Sequence, residues 1–171
     1  MRSVLCILVA AACAATAHAD VLWGKAEKGA SLEEIARLYP EGSSVIPTDK
    51  QKLDNGATLQ YSVGNIDIVK KPFVASFYFL DGSLNSVGLK HDSKDQTYVC
   101  ENTFDRVQEA LLSKYGKEIK SSRKGGFGLS KSASWGNGKT SISLNMFSFG
   151  SPDCTIFISY SSRLSDDSAN L

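Results

Sequence analysis

Apolar and polar positions alternate along much of this chain, and the alternation predicts an α+β domain built mainly of antiparallel strands. Leu59, Tyr61 and Val63 alternate with polar neighbours. Gly64-Asn65 then reads as a turn, after which Ile66 and Ile68 resume the pattern. Pro72 marks a strand edge or a break, because proline cannot donate to a ladder. Phe73 to Leu80 is almost continuously apolar and reads as a central strand. Asp81-Gly82 predicts a hairpin turn, with Leu84, Val87 and Leu89 on the return strand and Gly88 placed for a bulge. Further on, Trp135 opens a strand and Gly136-Asn137-Gly138 turns it, so that Ile142, Leu144 and Met146 alternate on the next. Phe149 to Asp153 makes another turn before Cys154, Ile156, Ile158 and Tyr160 on the last strand.

Two stretches carry the helical period instead. Ser31 and Glu34 form an S-x-x-E capping box, in which each side chain satisfies a backbone N–H at the helix start. Leu32, Ile35, Ala36 and Tyr39 follow on one face, and Pro40 ends the helix. The second helix is expected to start at Asn102 or Thr103, after a polar linker over residues 91–96. Phe104, Val107, Leu111 and Tyr115 lie at helical spacing, and Gly116 is placed to stop it. The expected architecture is an antiparallel sheet with helices on one face.

The N-terminus changes the picture of what is left to fold. Arg2, the apolar run from Val4 to Ala12 and Ala17-His18-Ala19 read as a secretory signal peptide over residues 1–19. The apolar stretch is too short for a bilayer core, which takes ~20 residues. The exported domain then spans residues 20–165, with a loose tail over 166–171, in the periplasm or outside the cell. Arg2 is the only charge lost, so 18 basic residues face 18 acidic ones, whereas a nucleic-acid binder carries a basic excess. No second long apolar run predicts a transmembrane span.

Cleavage also leaves two cysteines of four. In an oxidising compartment Cys100 and Cys154 are expected to pair. Their loop of ~54 residues makes the bridge worth roughly 4 kcal/mol in the chain-entropy view. No C-x-x-C occurs, and two cysteines with His91 fall short of a zinc site. No metal or cofactor is expected.

The halves repeat in outline: one amphipathic helix, a loop, then antiparallel strands, over residues 23–90 and 98–164. Tyr39 and Tyr115 end the two helices 76 residues apart. The run Gly29-Ala30-Ser31-Leu32-Glu33-Glu34-Ile35, followed by Phe77-Tyr78-Phe79-Leu80-Asp81-Gly82-Ser83-Leu84, resembles the small outer-membrane lipoprotein of the β-barrel assembly machinery. Doubled, the unit is similar to that of secreted β-lactamase inhibitory proteins. The resemblance implies a helix-plus-sheet fold and a binding role, and it carries over no site residue. The lipoprotein cysteine is missing, and the short helix–loop–helix that opens such units is not evident.

Catalytic motifs are scarce. His91 is the one histidine left after cleavage, and its neighbour Asp92 is not a dyad partner, since adjacent side chains point apart. G-x-S-x-G, H-E-x-x-H, Walker A and dinucleotide fingerprints are absent. Glu33-Glu34 fall in a first helical turn, where acidic groups suit the helix dipole. Between Lys114 and Lys139, seven basic residues face only Glu118. Lys120, Arg123 and Lys124, with Phe127 and Trp135 expected to be exposed beside them, form a candidate patch for a protein partner or an anionic envelope component; the alternative is a solvated loop neutralised elsewhere. The leading expectation is an exported, non-catalytic binding protein, acting as inhibitor, immunity or assembly factor. The alternative is a small periplasmic hydrolase using carboxylates only.

Overall fold

A computed structural model describes residues 20–126, 128–149 and 153–163. The expected leader over residues 1–19, the tail 166–171 and Phe127 lie outside them. Over the described residues the protein is α+β and mostly antiparallel sheet. In chain order the elements are β1 (Val21–Trp23), β2 (Ala26–Glu27), α1 (Leu32–Leu38), β3 (Ser43–Ser44), a single 3₁₀ turn (Asp49–Gln51), β4 (Thr58–Ile68), β5 (Lys71–Leu80), β6 (Ser83–Ser93), α2 (Thr97–Tyr115), β7 (Lys120–Lys124), β8 (Leu129–Asn137), β9 (Thr140–Ser148) and β10 (Cys154–Ser162). β1 and β2 pair by themselves, and the other eight strands form one sheet in the order β3-β4-β5-β6-β10-β9-β8-β7.

That order reads alike from both ends. The last strands of the two halves, β6 and β10, meet antiparallel at the centre, from Ser86↔Ser161 to Ser93↔Cys154. Leu89 pairs with Ile158, and these two residues are separated by 69 positions. The same offset relates the Val69-Lys70 turn, closed by Ile68↔Lys71, to the Gly138-Lys139 turn, closed by Asn137↔Thr140.

Period-two alternation places one side chain of each pair in the core. Tyr61, Val63, Phe73, Ala75, Phe77 and Phe79 come from β4 and β5, Val87 and Leu89 from β6. Ile156, Ile158, Leu144, Met146 and Trp135 come from the other half. Ile35 of α1 and Cys100, Phe104, Val107 and Leu111 of α2 join the same cluster. These α2 residues recur at intervals of three and four, which aligns them on one helical stripe. The capping box forms as expected: Glu34 N–H donates to Ser31 Oγ at 3.2 Å, and Ser31 N–H to Glu34 Oε2 at 2.7 Å.

Four local expectations are corrected. Gly64-Asn65 is no turn: β4 runs through it, and two residues between Val63↔Ala75 and Ile66↔Phe73 oppose one on β5, a β-bulge with Asn65 at φ 57°. The chain turns at Val69-Lys70, both at positive φ, where Lys70 N–H donates to Asp67 Oδ1 at 2.9 Å. Pro72 neither breaks nor edges the sheet; it sits two positions into β5, beside the hairpin end, and its carbonyl lies 2.8 Å from His91 Nδ1. Residues 91–93 belong to β6 rather than a linker, because His91 continues the inward series of Val87 and Leu89 and packs against Phe73, ring centres 5.2 Å apart. Correspondingly α2 starts at Thr97, before Asn102, with Gln96 as a cap that makes no side-chain bond.

Cys100 and Cys154 form a disulfide, Cα atoms 6.0 Å apart, joining the first turn of α2 to the start of β10. No described helix is long and apolar enough to cross a membrane.

Candidate binding face

The basic and aromatic patch does not assemble as one surface. β7 pairs with β8 at Lys120↔Ser134, Arg123↔Lys131 and Lys124↔Ser130, so alternation sends Lys120 and Lys124 to one side of the sheet and Arg123 to the other. Arg123 Nη2 lies 3.1 Å from Glu101 Oε1 on α2, and Lys131 is paired with Asp105 beside it. Part of the local positive charge is thus met by α2. Trp135 is corrected outright: it is 1% exposed, in the core, and its indole N–H donates to the Gly116 carbonyl at 3.0 Å. Burial with a satisfied N–H is what an indole in a core requires. Phe149, also expected in a turn, is 79% exposed.

Lys120 and Lys124 share their side with a surface that the residues build by simple alternation. Between the core positions of these strands, most outward positions carry a small polar residue. Read across the strands, Ser43, Ser62, Ser76, Gly88, Ser159, Ser143, Ser134 and Lys120 are successive neighbours from β3 to β7. A parallel row runs Val74, Lys90, Phe157, Asn145, Ser132 and Ser122. Hydroxyls bond laterally, Ser143 to Ser159 at 2.7 Å and Ser122 to Ser132 at 2.8 Å. Tyr78 and Phe157 stand half-buried among them, and Val74 and Phe147 are exposed by 44% and 45%. This face combines short side chains, which have little entropy to lose, with a few half-buried or exposed aromatics.

At one end, Asp92 and Asp153 line a groove of about 440 Å³ with Lys94, Phe147 and Phe149. Two carboxylates in one groove are what a glycosidase would use, but its general acid must hold its proton near neutral pH. Asp92 is shifted the other way. Partial burial pushes it up, yet hydrogen bonds from Lys90 and Thr155 and the nearby charges of Lys90 and His91 outweigh this and hold it below the ordinary carboxylate value. Asp153 is tied to Lys94 at 2.7 Å. Among the described residues, no group of three or more His, Cys, Asp or Glu is placed to hold a metal ion.

These carboxylates set an acid limit. Asp92 is depressed as described, and Asp95 is depressed first by its hydrogen bond from Lys71, 3.3 Å away. A group depressed on folding stabilises above its unfolded value, here 3.8, and that contribution disappears as pH falls through the lower folded value. The melting temperature should therefore fall as pH drops below about 4. A D92N/D95N variant should fall less steeply over the same window, and an unchanged slope would refute the assignment.

In the sequence the serine rows show only as the polar half of each alternating strand. Compared with known protein families, curated proteins and solved structures, the chain matches none.

Proposed function

We propose that the protein is an exported, non-catalytic binding protein of the bacterial envelope that docks on another protein through the sheet face opposite its core. In this reading both helices cover one face, the two halves are tandem copies of a helix-plus-hairpin unit, and the other face is left for a partner. The observation that carries it is the lateral series of small hydroxyls from Ser43 to Ser134, broken only at Gly88 and flanked by half-buried Tyr78 and Phe157. A sheet face of that width, with aromatics standing among short hydroxyls, suits an inhibitor, immunity or assembly factor. The likeness to the assembly lipoprotein and to β-lactamase inhibitory proteins points the same way. Lys120 and Lys124 make no ion pair among the described residues, and they would steer an acidic partner toward the β7 edge.

Photocrosslinking residues introduced at Ser76, Asn145 and Ser132 should trap the partner in the producing cell. The same group at Gln108 or Glu109, on α2, should not. Adducts confined to α2 would sink the proposal, as would a protein found only in the cytoplasm.

A further inference from the structure

At one corner of the same face lies a second groove, of about 360 Å³, small for a ligand site but within the usual range. Its wall is aromatic. A Cβ built on Gly88 would stand 2.8 Å from Cε2 and Cζ of Phe157 and 3.5 Å from Cε2 of Tyr78, so both rings close over bare backbone. Beside them the Ser86 hydroxyl is buried, and it has no hydrogen-bond partner. An unpaired buried hydroxyl carries a desolvation penalty that a ligand can relieve. Asn55 and Asn85 form the rim. Asn55 Oδ1 accepts from Ala57 N–H at 3.1 Å, and its Nδ2 donates to Asn85 Oδ1 at 2.9 Å. The Asn85 amide is thereby oriented with its own N–H groups unclaimed among the described residues. Asp54 completes the rim, and no basic residue lines the groove.

We propose that this groove binds one ring of a neutral oligosaccharide. The C–H face of a pyranose stacks on Tyr78 and Phe157, and its hydroxyls, which donate and accept, meet Asp54, Asn85 and the orphan Ser86 Oγ. An anionic sugar finds no cation there and meets the Asp54 carboxylate. A purely aliphatic ligand would leave Ser86 and Asn85 unpaired. The groove shares Tyr78 and Phe157 with the proposed docking face, but its test uses sugars alone, so the failure of either reading leaves the other standing.

Chitotetraose, maltotetraose, cellotetraose and tetragalacturonate are titrated at millimolar concentration into the ¹⁵N-labelled protein. At least one neutral tetramer is expected to saturate with shifts at Tyr78, Ser86, Gly88 and Phe157. Tyr78→Ala and Phe157→Ala should each weaken that binding by about tenfold, the scale of one good contact. Ser86→Ala should weaken binding while leaving the melting temperature unchanged or raised, which separates lost recognition from lost folding. Binding by no neutral tetramer, binding by tetragalacturonate alone, shifts outside the groove, or full affinity in all three variants would each overturn the site.

Discussion

Removing the Cys100–Cys154 bridge, as C100S/C154S or by reduction, should cost the protein about 4 kcal/mol. The bridge closes a loop of 54 residues, which contains the rest of α2 and all of β7, β8 and β9. Without it the unfolded chain regains the freedom of about two-fifths of the described domain. The native state also loses a tie between the first turn of α2, which has no side-chain cap, and the start of β10. A helix end without a cap frays first, so the loss should be concentrated there. With a urea slope of about 2 kcal/mol/M, typical for this size, the unfolding midpoint should fall by about 2 M. Amide exchange should rise first over residues 97–104. A shift below about 0.5 M on that slope would mean that the bridge contributes little in solution.

The second large effect is expected at Phe77. Its ring is fully buried and touches three aromatic neighbours: Tyr39 at 5.2 Å, Trp23 at 6.0 Å and Tyr61 at 6.1 Å between centres. Trp23 and Tyr39 are themselves stacked at 5.6 Å. Polar tips lock the group: Tyr61 Oη donates to the Tyr39 carbonyl at 2.8 Å, and Tyr39 Oη accepts from Lys25 N–H at 3.0 Å. The cluster therefore joins β1, the end of α1, β4 and β5. Phe77→Ala removes its central member and should cost about 3–5 kcal/mol, the range for truncating a buried Phe. The near-ultraviolet signal of Trp23 should collapse at temperatures where far-ultraviolet ellipticity persists. A loss under about 1 kcal/mol, far short of that range, would show that the cluster closes over the gap.

Alternation made most of the sheet readable. Phe73 to Leu80, the Asp81-Gly82 turn and the last two strands fall where the apolar period places them. The departures have local causes. Val69-Lys70 carries no turn signal, since Val at positive φ is disfavoured and the turn is held by the Asp67 side chain and by pairing on either side. His91 reads as polar in sequence but buries its ring against Phe73, so β6 outlasts the apolar run. Thr97-Tyr98-Val99 opens α2 with residues that favour strands, and no capping box announces it. Site legibility was poorer still. A row of six serines, broken only at Gly88, exists only once the register is set, and linear spacing does not fix register. Arg123 and Lys120 look equivalent in sequence, yet one is committed to Glu101 and the other is not.

The meeting of β6 and β10 at the centre of the sheet has a consequence for the order of assembly. β10 leaves the ribosome well after β6, since the partners Ser93 and Cys154 lie 61 positions apart. Until it arrives, β6 offers Val87, Leu89 and an unpaired backbone edge to any neighbouring chain, the condition in which strands aggregate. The β3–β6 part of the sheet cannot finish its inner border early, because β10 supplies it. Such a chain is best handled as an open polymer until it is complete, with pairing postponed to the place where the bridge at Cys154 can form. Crossing a membrane before folding, as in the proposed export, would meet that requirement, and the chain expressed in a cytoplasm should aggregate during synthesis.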